Sequence, residues 1–309
     1  MKILFCGNYD EGYITLNCIS KYHDIIFVFC DLKEKRNDQI ISFCKKEKIE
    51  CFPDIKINDL KILEIIKEKK IDIVVCNNFK KMVNDYVLES TKFGGINLHS
   101  SLLPQYKGRA PLSWAIINGE KNTGISVHFI NRTLDGGNII LQRKIPIKYS
   151  DTYSSLLERN IQLEPELLLK SLKKVERGYK GKTQISNGKI FPYINNEIRT
   201  VDWNSNSRNI YNLIRAVAPP FPGAISFTDN KEFKIFWAKE KRALSSKNYS
   251  AGEIINIFDT SFEVFCKPKT IEIFEIQDET GNNLVEIINN KTIFKGLILK
   301  SRKKNDPSQ

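Results

Sequence analysis

The segment GINLHSSLLPQYKGRAP, residues 95–111, places an amide and an imidazole two residues apart. Asn97 and His99 end a short apolar run that is typical of a strand, and residues two apart on a strand point to the same face. An amide can stabilise a developing oxyanion and an imidazole can move a proton, which are two requirements of acyl transfer. A strand-end histidine that only satisfies backbone groups would explain the same pattern, so both interpretations stay open on these residues alone.

A third candidate, Asp135, lies in the sequence TLDGGN. An aspartate followed by two glycines is typical of a turn, because aspartate and glycine both tolerate turn conformations. The residues by themselves therefore favour a turn-forming role for Asp135 over a chemical one.

The first third of the chain alternates apolar, strand-like runs such as KILFCG, DIIFVFCD and IDIVVCNN with helical stretches. Continuous apolar runs suit parallel strands that are covered on both faces, and their alternation with helices predicts a doubly wound, Rossmann-like α/β sheet. The segment CGNYDEG after the first run lacks the G-x-G-x-x-G spacing of dinucleotide sites. Bound NAD is therefore not expected.

The pattern changes after Gly124. GISVHFI and NIILQRKIPI are strand-like and flank the turn that contains Asp135, and a long helix is predicted over 152–178. Beyond a polar connector, a helix over 207–217 and six short strands, the last being TIFKGLILK at 292–300, predict a smaller and mostly β domain that resembles an OB-fold. The expected organisation is a catalytic domain 1–185, a linker 186–200, a C-terminal domain 201–302 and a tail 303–309.

The formal net charge of +12 suits a polyanionic partner such as tRNA, or a smaller diphosphate. Lysine, isoleucine and asparagine are abundant throughout the chain, however, and a genome-wide base-composition bias would explain that excess. Charge alone therefore does not identify the partner.

The cysteines and the hydropathy pattern concern the cellular compartment. Seven cysteines are scattered without a C-x-x-C pair, which predicts reduced thiols and no structural metal site. The opening apolar run is too short for a signal peptide, and no run approaches the about 20 apolar residues of a membrane span. A cytoplasmic protein without a membrane partner is expected.

The segment from Asn97-Leu98-His99 through SSLLPQYKGRAP and WAIINGEKNTGISVHFI to LDGGNII resembles the formyltransferases that use N10-formyltetrahydrofolate. In that family an asparagine, a histidine and a later aspartate form the catalytic triad, and the resemblance assigns those roles to Asn97, His99 and Asp135. It also places a chemical role for Asp135 above the turn role. Residues 201–227 resemble the opening of the C-terminal domain that methionyl-tRNA formyltransferases share with some sugar-nucleotide formyltransferases.

The resemblance implies a mechanism without a metal or a covalent intermediate. Asn97 would donate a hydrogen bond to the oxyanion, and His99 would transfer the proton directly or through a water molecule. Asp135 would orient or polarise His99 and the water. The expected co-substrate is N10-formyltetrahydrofolate.

Three features favour a nucleotide-linked amino sugar over initiator tRNA as the acceptor. Residues 31–39, DLKEKRNDQ, lack the Gly-Arg-Gly loop with prolines that is typical of the tRNA enzymes. Arg109 stands where the tRNA enzymes carry a small residue, and there the chain resembles the formyltransferase domain that acts on UDP-4-amino-4-deoxy-L-arabinose. Residues 9–12, YDEG, resemble the same sugar enzyme. Methionyl-tRNA formyltransferase and a non-catalytic RNA- or nucleotide-binding protein of this fold remain the alternatives.

Ligand contacts follow from the same resemblance. A role in surface glycan synthesis is expected, and no specific nucleic acid partner is expected. Because related sugar enzymes form dimers, a homodimer is also an expectation. A guanidinium suits a diphosphate because it offers paired donors in one plane, although a helix-surface salt bridge would also explain Arg215. The expected folate contacts are Phe79, Lys80, Met82, Val83 and Leu134, and the expected sugar-nucleotide contacts are Asp10, Gly12, Ser100, Arg109 and Arg215.

Overall fold

The computed structural model describes residues 1–185, 188–229, 231–241 and 249–301, so the expected tail 303–309 lies outside the described residues. The chain divides into two compact units. The domain boundaries expected from the sequence stay predictions. Unit 1 comprises 1–111, 122–146 and 158–191, and unit 2 comprises 112–121, 147–157 and the described residues from Pro192 onward.

Unit 1 is built on a seven-stranded sheet. The strands of unit 1 are β1 (Lys2–Gly7), β2 (Asp24–Cys30), β3 (Glu50–Pro53), β4 (Ile73–Asn77), β5 (Gly95–His99), β6 (Lys107–Gly108), β7 (Asn122–Phe129), β8 (Ile139–Pro146) and β9 (Ile190–Phe191). Strands β6 and β9 form a separate two-stranded pair, and the other seven form the large sheet.

The order in the large sheet is β3-β2-β1-β4-β5-β7-β8, and the pairs among the first five of these strands are parallel. Strands β7 and β8 are added in antiparallel orientation. All five residues of β4 are buried, as the continuous apolar run in its sequence predicts. The doubly wound, Rossmann-like prediction is confirmed.

Helices lie between these strands in the chain, which is the alternation that the sequence predicts. One of them is the long helix that the sequence predicts after β8. The helices are α1 (Tyr9–Ile19), α2 (Asp38–Glu47), α3 (Leu60–Lys69), α4 (Asp85–Glu89), α5 (Pro111–Ile117) and α6 (Tyr153–Glu176).

The side chain of Asn8 holds together the carboxyl edge of the parallel strands. Its Oδ1 accepts hydrogen bonds from the backbone N–H of Asp31, at 2.9 Å, and from Nδ2 of Asn37, at 2.8 Å. Its Nδ2 donates to the carbonyl of Asn78 at 3.0 Å. These residues follow β1, β2 and β4, and β5 ends at the same edge with His99. These hydrogen bonds therefore hold the segments that follow the strands in place beside the candidate residues.

Unit 2 contains a five-stranded antiparallel sheet in the order β10-β11-β14-β13-β12, and α8 packs against β11. This confirms the prediction of a mostly β C-terminal domain. Its elements are α7 (Asn196–Arg199), α8 (Ser207–Ala216), β10 (Ala224–Phe227), β11 (Glu232–Glu240), β12 (Ile254–Ile257), β13 (Phe262–Cys266), β14 (Lys269–Asp278) and α9 (Leu284–Asn289).

The strand predicted over 292–300 is wrong. Gly296 adopts a φ of 89°, which breaks the extended conformation, and Phe294 is exposed. Only isolated bridges occur in this segment, at Ile298 and Lys300. Ile293 and Leu299 are buried although the segment forms no strand, so apolar residues alone do not distinguish a strand from a buried turn.

Across the described ranges, no helix is both long enough and apolar enough to cross a membrane.

A buried carboxyl group lies on α6. Glu164 is 1% exposed and accepts hydrogen bonds from Nδ2 of Asn77, at 2.8 Å, and from Nδ2 of Asn160, at 3.0 Å. Burial raises the pKa of Glu164 to about 8, and the nearby charge of Glu11 acts in the same direction, whereas the two amide bonds oppose the shift. The folded protein therefore keeps a proton on Glu164 that the unfolded chain releases near pH 4.5.

This linkage predicts the pH dependence of Glu164→Gln. Raising the pH from about 4.5 to 8 costs the wild-type fold up to about 1.4 kcal/mol per pH unit, because the unfolded state loses the proton first. Glutamine keeps a carbonyl acceptor for one of the two amides and has no proton to lose. Urea denaturation should therefore show the free energy of unfolding of the variant rising relative to wild type between pH 5 and pH 8. Glu166→Gln, at an exposed position of the same helix, is the control, and parallel pH curves for wild type and Glu164→Gln would contradict the prediction.

Candidate active site

Asn97 and His128 lie directly opposite each other on the antiparallel strands β5 and β7. Nδ2 of Asn97 is 3.2 Å from Nε2 of His128, whose side chain is 3% exposed. Side chains opposed across two strands are close neighbours on one face of the sheet. His128 was not among the residues that the sequence singled out, and the structure adds it to the candidate site.

Asp135 lies between two imidazoles. Its Oδ2 is 3.6 Å from Nδ1 of His99, and its Oδ1 is 3.6 Å from Nε2 of His128. The backbone N–H of Gly108 donates to Oδ2 at 2.9 Å, and the carboxylate is 9% exposed. The structure thus brings Asn97, His99 and Asp135 into one buried cluster, with His128 as its fourth member.

The charges in this cluster are set by burial and by the neighbours. Burial raises the pKa of Asp135, but the charge of His99, the proximity of the His128 imidazole and the hydrogen bond from the N–H of Gly108 outweigh it, so that the pKa is about 2. Burial lowers the pKa of His99; the Asp135 carboxylate opposes this shift, and the charge of the buried Lys107 adds to it. At neutral pH the site therefore contains an ionised carboxylate and a neutral His99.

Hydrogen bonding determines which nitrogen of His99 is basic. Nε2 lies 2.8 Å from the carbonyl oxygen of Tyr106, and because a carbonyl can only accept, Nε2 carries the proton. The lone pair of neutral His99 is therefore on Nδ1, the nitrogen that faces Asp135. A proton taken up on Nδ1 would form an ion pair with that carboxylate.

The backbone around Asp135 adopts a conformation that few side chains tolerate. Asp135 has a φ of 48°, in the left-handed region, and a Cβ at Gly137 would lie 1.8 Å from the carbonyl oxygen of Phe129. Nε2 of Gln184 donates to the carbonyls of Asp135 and Gly137, both at 2.8 Å. Asp135 lies in a turn and its carboxylate faces the imidazoles, so the turn and chemical interpretations of this residue do not exclude each other.

The loop after His99 is tied to a later part of unit 1. Strand β6 pairs in parallel with β9, and the ring of Tyr106 stacks on that of Phe191 with 4.8 Å between centroids. The backbone N–H of Arg109 donates to the carbonyl of Phe191 at 3.0 Å. These contacts fix the carbonyl that binds His99 and the N–H that binds Asp135.

The five expected folate contacts lie in different environments. Phe79 and Val83 pack in the core cluster on one side of the sheet, and Val83 is buried. Met82 and Leu134 are exposed, and Nζ of Lys80 lies 3.7 Å from a carboxylate oxygen of the aspartate that follows β2. Their contacts with folate stay predictions.

Three of the expected sugar-nucleotide contacts lie near the carboxyl edge of the sheet. Asp10 is exposed at the start of α1, whereas Gly12 is buried in the same helix. A Cβ at Gly12 would lie 3.1 Å from the backbone of β1, so the glycine allows close packing of helix on strand. The hydroxyl of Ser100 accepts a hydrogen bond from Nδ2 of Asn160 at 2.8 Å. Their substrate contacts stay predictions.

The two expected arginine contacts differ in exposure. Arg109 is exposed, and its guanidinium makes no hydrogen bond with the residues that the structure describes. Arg215 lies in unit 2, is 5% exposed and donates to Oδ1 of Asn212 and to the carbonyls of Lys148 and Asp151. These bonds give Arg215 a structural part in its own unit, and its part in binding stays a prediction.

The cluster combines an amide donor, a neutral imidazole and a carboxylate that can stabilise the imidazolium. Together they can polarise a carbonyl and accept a proton from an attacking amine. The described residues include no group of three or more histidine, cysteine, aspartate or glutamate side chains arranged to hold a metal ion.

A signal for His128 was present in the sequence. Ser126 and His128 are polar positions that alternate with the apolar residues of β7, yet both are buried. A polar face on a buried strand requires partners, and in this strand the partner of His128 is Asn97. What the sequence could not supply is the pairing of β7 with β5.

Two family models match the chain. The model described as formyl transferase matches residues 18–172, which is about half of the chain, and the model described as formyl transferase, C-terminal domain, matches residues 193–291.

Individual proteins are similar over most of the chain. The bifunctional polymyxin resistance protein ArnA of Wigglesworthia glossinidia brevipalpis is 32% identical over 90% of this chain, which covers 43% of that protein. The methionyl-tRNA formyltransferase of Citrifermentans bemidjiense is 34% identical over 92% of this chain and 91% of that protein. The structure of the N-formyltransferase from Helicobacter canadensis, in complex with folinic acid and dTDP-3-aminofucose, superposes with a TM-score of 0.67 at 20% identity, over 89% of this chain and 99% of that one.

The charges around His99 predict how Asp135→Asn changes the pKa of this histidine. The Asp135 carboxylate raises the pKa of His99 against the effect of burial, so replacing it with a neutral amide should lower that pKa further below its ordinary value of 6.5. Titration of the imidazole carbon-bound protons by NMR measures this directly. Asp85→Asn, which removes a carboxylate bound to Arg132 on the surface, is the control, and an unchanged His99 titration in Asp135→Asn would contradict the prediction.

Proposed function

This chain belongs to the formyl transferase family, and we propose that it transfers a formyl group from N10-formyltetrahydrofolate to the amine of a nucleotide-linked amino sugar in surface glycan synthesis. Formyl transfer itself is the activity of the family, which confirms the prediction of an enzyme over a non-catalytic binding protein. The observation that carries the proposal is the buried cluster in which the Asp135 carboxylate faces the neutral His99 beside the amide of Asn97.

The residues of the cluster fit the folate co-substrate, which would supply a formyl carbon attached to N10. Nδ2 of Asn97 donates one of its two N–H groups to His128 and keeps the other for the formyl oxygen, on which negative charge develops. Nδ1 of His99 accepts the proton that the acceptor amine loses and returns it to the leaving nitrogen. Asp135 stabilises the charged His99 between these two transfers.

Arg109 supports a sugar nucleotide as the acceptor. It directly follows Gly108, whose N–H binds Asp135, so the chain places an exposed guanidinium one residue from the cluster. A guanidinium offers two parallel donors, which suit the oxygens of a diphosphate. The Helicobacter canadensis enzyme, which has a similar fold, is described in complex with dTDP-3-aminofucose.

A second candidate function is formylation of methionyl-tRNA. The relatives described as methionyl-tRNA formyltransferases match this chain over nearly their whole length, with identities comparable to that of the ArnA protein. The net charge of +12 also suits a polyanionic acceptor. The two candidates differ in the acceptor and agree in the reaction.

A panel of acceptors separates the two candidates. Purified protein with N10-formyltetrahydrofolate and nucleotide-linked 3-amino or 4-amino sugars should give a sugar nucleotide that is heavier by one formyl group, measured by mass spectrometry. Methionyl-tRNA in a parallel reaction should remain unformylated. His99→Ala, which removes the proton acceptor, should give no product and thus links the activity to this site. Formylation of the tRNA alone would overturn the sugar-nucleotide proposal and support the second candidate.

Arg109→Ala tests the diphosphate contact. Loss of charge-assisted hydrogen bonds worth about 1.5–3 kcal/mol should raise KM for the sugar nucleotide about tenfold or more, with a smaller effect on kcat. Arg109→Lys should restore only part of the affinity because an ammonium lacks paired planar donors. Arg132→Ala, at an exposed arginine bound to Asp85, is the matched control, and an unchanged KM in Arg109→Ala would remove this residue from the binding site.

A further inference from the structure

His128 is a buried imidazole that none of the predicted roles uses. Its side chain is 3% exposed, and its Nε2 lies 3.2 Å from Nδ2 of Asn97 and 3.6 Å from Oδ1 of Asp135. It lies on β7, one strand away from His99 on β5. Because His99 already faces the carboxylate, the contribution of this second imidazole has to come from its other contacts.

The hydrogen bonds of His128 fix its tautomer. Nδ1 lies 2.8 Å from the carbonyl oxygen of Phe129, which can only accept, so Nδ1 carries the proton. In the neutral ring Nε2 then has a lone pair, and Nδ2 of Asn97 donates to it at 3.2 Å. His99 has the opposite tautomer because its Nε2 donates to the carbonyl of Tyr106.

This tautomer determines how the amide of Asn97 is oriented. An asparagine amide can rotate by half a turn with little change in shape, and that rotation exchanges a donor for an acceptor. With the amide reversed, Oδ1 of Asn97 would face the lone pair of His128, which would repel it. The observed orientation leaves the second N–H of Asn97 in a fixed direction.

We infer that His128 is a positioning residue for formyl transfer: its Nε2 lone pair holds the amide of Asn97 so that the free N–H points to the developing oxyanion. The inference rests on the proposed role of Asn97 in formyl transfer. It extends that role because His128 would keep the N–H of Asn97, and not its carbonyl oxygen, on the side of the amide where the formyl oxygen binds. A preorganised donor loses no energy to reorientation during the reaction.

The tautomers can be measured without any substrate. The chain has three histidines, His23, His99 and His128, so the ring nitrogens of the full-length protein can be assigned by ¹⁵N NMR. His128 should carry its proton on Nδ1 and His99 on Nε2. A proton on Nε2 of His128 in the neutral protein would overturn the inference, because that nitrogen could not accept from Asn97.

Two substitutions with the same functional group separate positioning from simple space filling. Glutamine at position 128 can place its carbonyl oxygen near the position of Nε2, whereas asparagine reaches only the position of Nδ1. His128→Asn should therefore lower kcat by about ten- to a hundredfold, as expected when a reacting group is misoriented, with little change in KM. His128→Gln should retain kcat within a few-fold of wild type. Equal kcat values for the two variants would overturn the inference.

A double-mutant cycle supplies the readout that a merely structural role would not produce. In an Asn97→Ala background the amide is gone, so His128→Asn should cost little further activity. Full additivity of the two losses would overturn the inference. His23→Gln is the matched control, since His23 precedes β2 at the amino end of the sheet, opposite the candidate site.

Failure of the inference and failure of the proposed function give different results. If the proposed function fails, the wild-type protein does not formylate sugar nucleotides, and the cycle is measured with whichever acceptor amine it does formylate. If the inference fails, the wild type turns over normally while His128→Asn and His128→Gln behave alike. The tautomer measurement decides the geometry in either case.

Discussion

The buried and ionised carboxylate of Asp135 is the constraint that the surrounding structure has to satisfy. Removing a carboxylate from water costs several kcal/mol unless donors or positive charges compensate. Here the N–H of Gly108 donates to the carboxylate, His99 stabilises it once that ring is protonated, and His128 lies 3.6 Å away; each of these groups lies on a different element. The loop after β5, the register of β5 with β7 and the turn before β8 must all be in place for the charge to be tolerated.

Much of this arrangement could be predicted from the sequence because it depends on local patterns. The apolar runs predicted the parallel strands, and the two-residue spacing of Asn97 and His99 placed them together at a strand end. His128 could not be found in this way, since its partner is set by a cross-strand register between segments about thirty residues apart. The strand expected over 292–300 failed for a related reason: a run of apolar residues does not say whether the chain covers a sheet or joins it.

Exposed and buried residues of the proposed site differ in how far a substitution disturbs the fold. Of the residues proposed for the chemistry, His99 is buried and Asn97 half-buried on the paired strand β5, and the Asp135 carboxylate is buried in a turn. A change at any of these positions would disturb several neighbours at once. The residue proposed to select the acceptor, Arg109, is exposed and can change without disturbing the fold. Similarity to other proteins accordingly identifies formyl transfer, whereas the ArnA protein and a methionyl-tRNA formyltransferase match this chain at similar identities of 32% and 34%.

The contacts of Gln184 and Phe191 with the site also order its assembly in time. The ribosome makes the chain from the N-terminus, so Asn97, His99, His128 and Asp135 all emerge before Gln184 and Phe191. Until those later residues arrive, the carbonyl of Asp135 lacks its amide donor and β6 has no strand to pair with. A nascent chain that already contains every proposed catalytic group therefore still lacks contacts that hold the site in place, and these form only after the end of unit 1 has been synthesised.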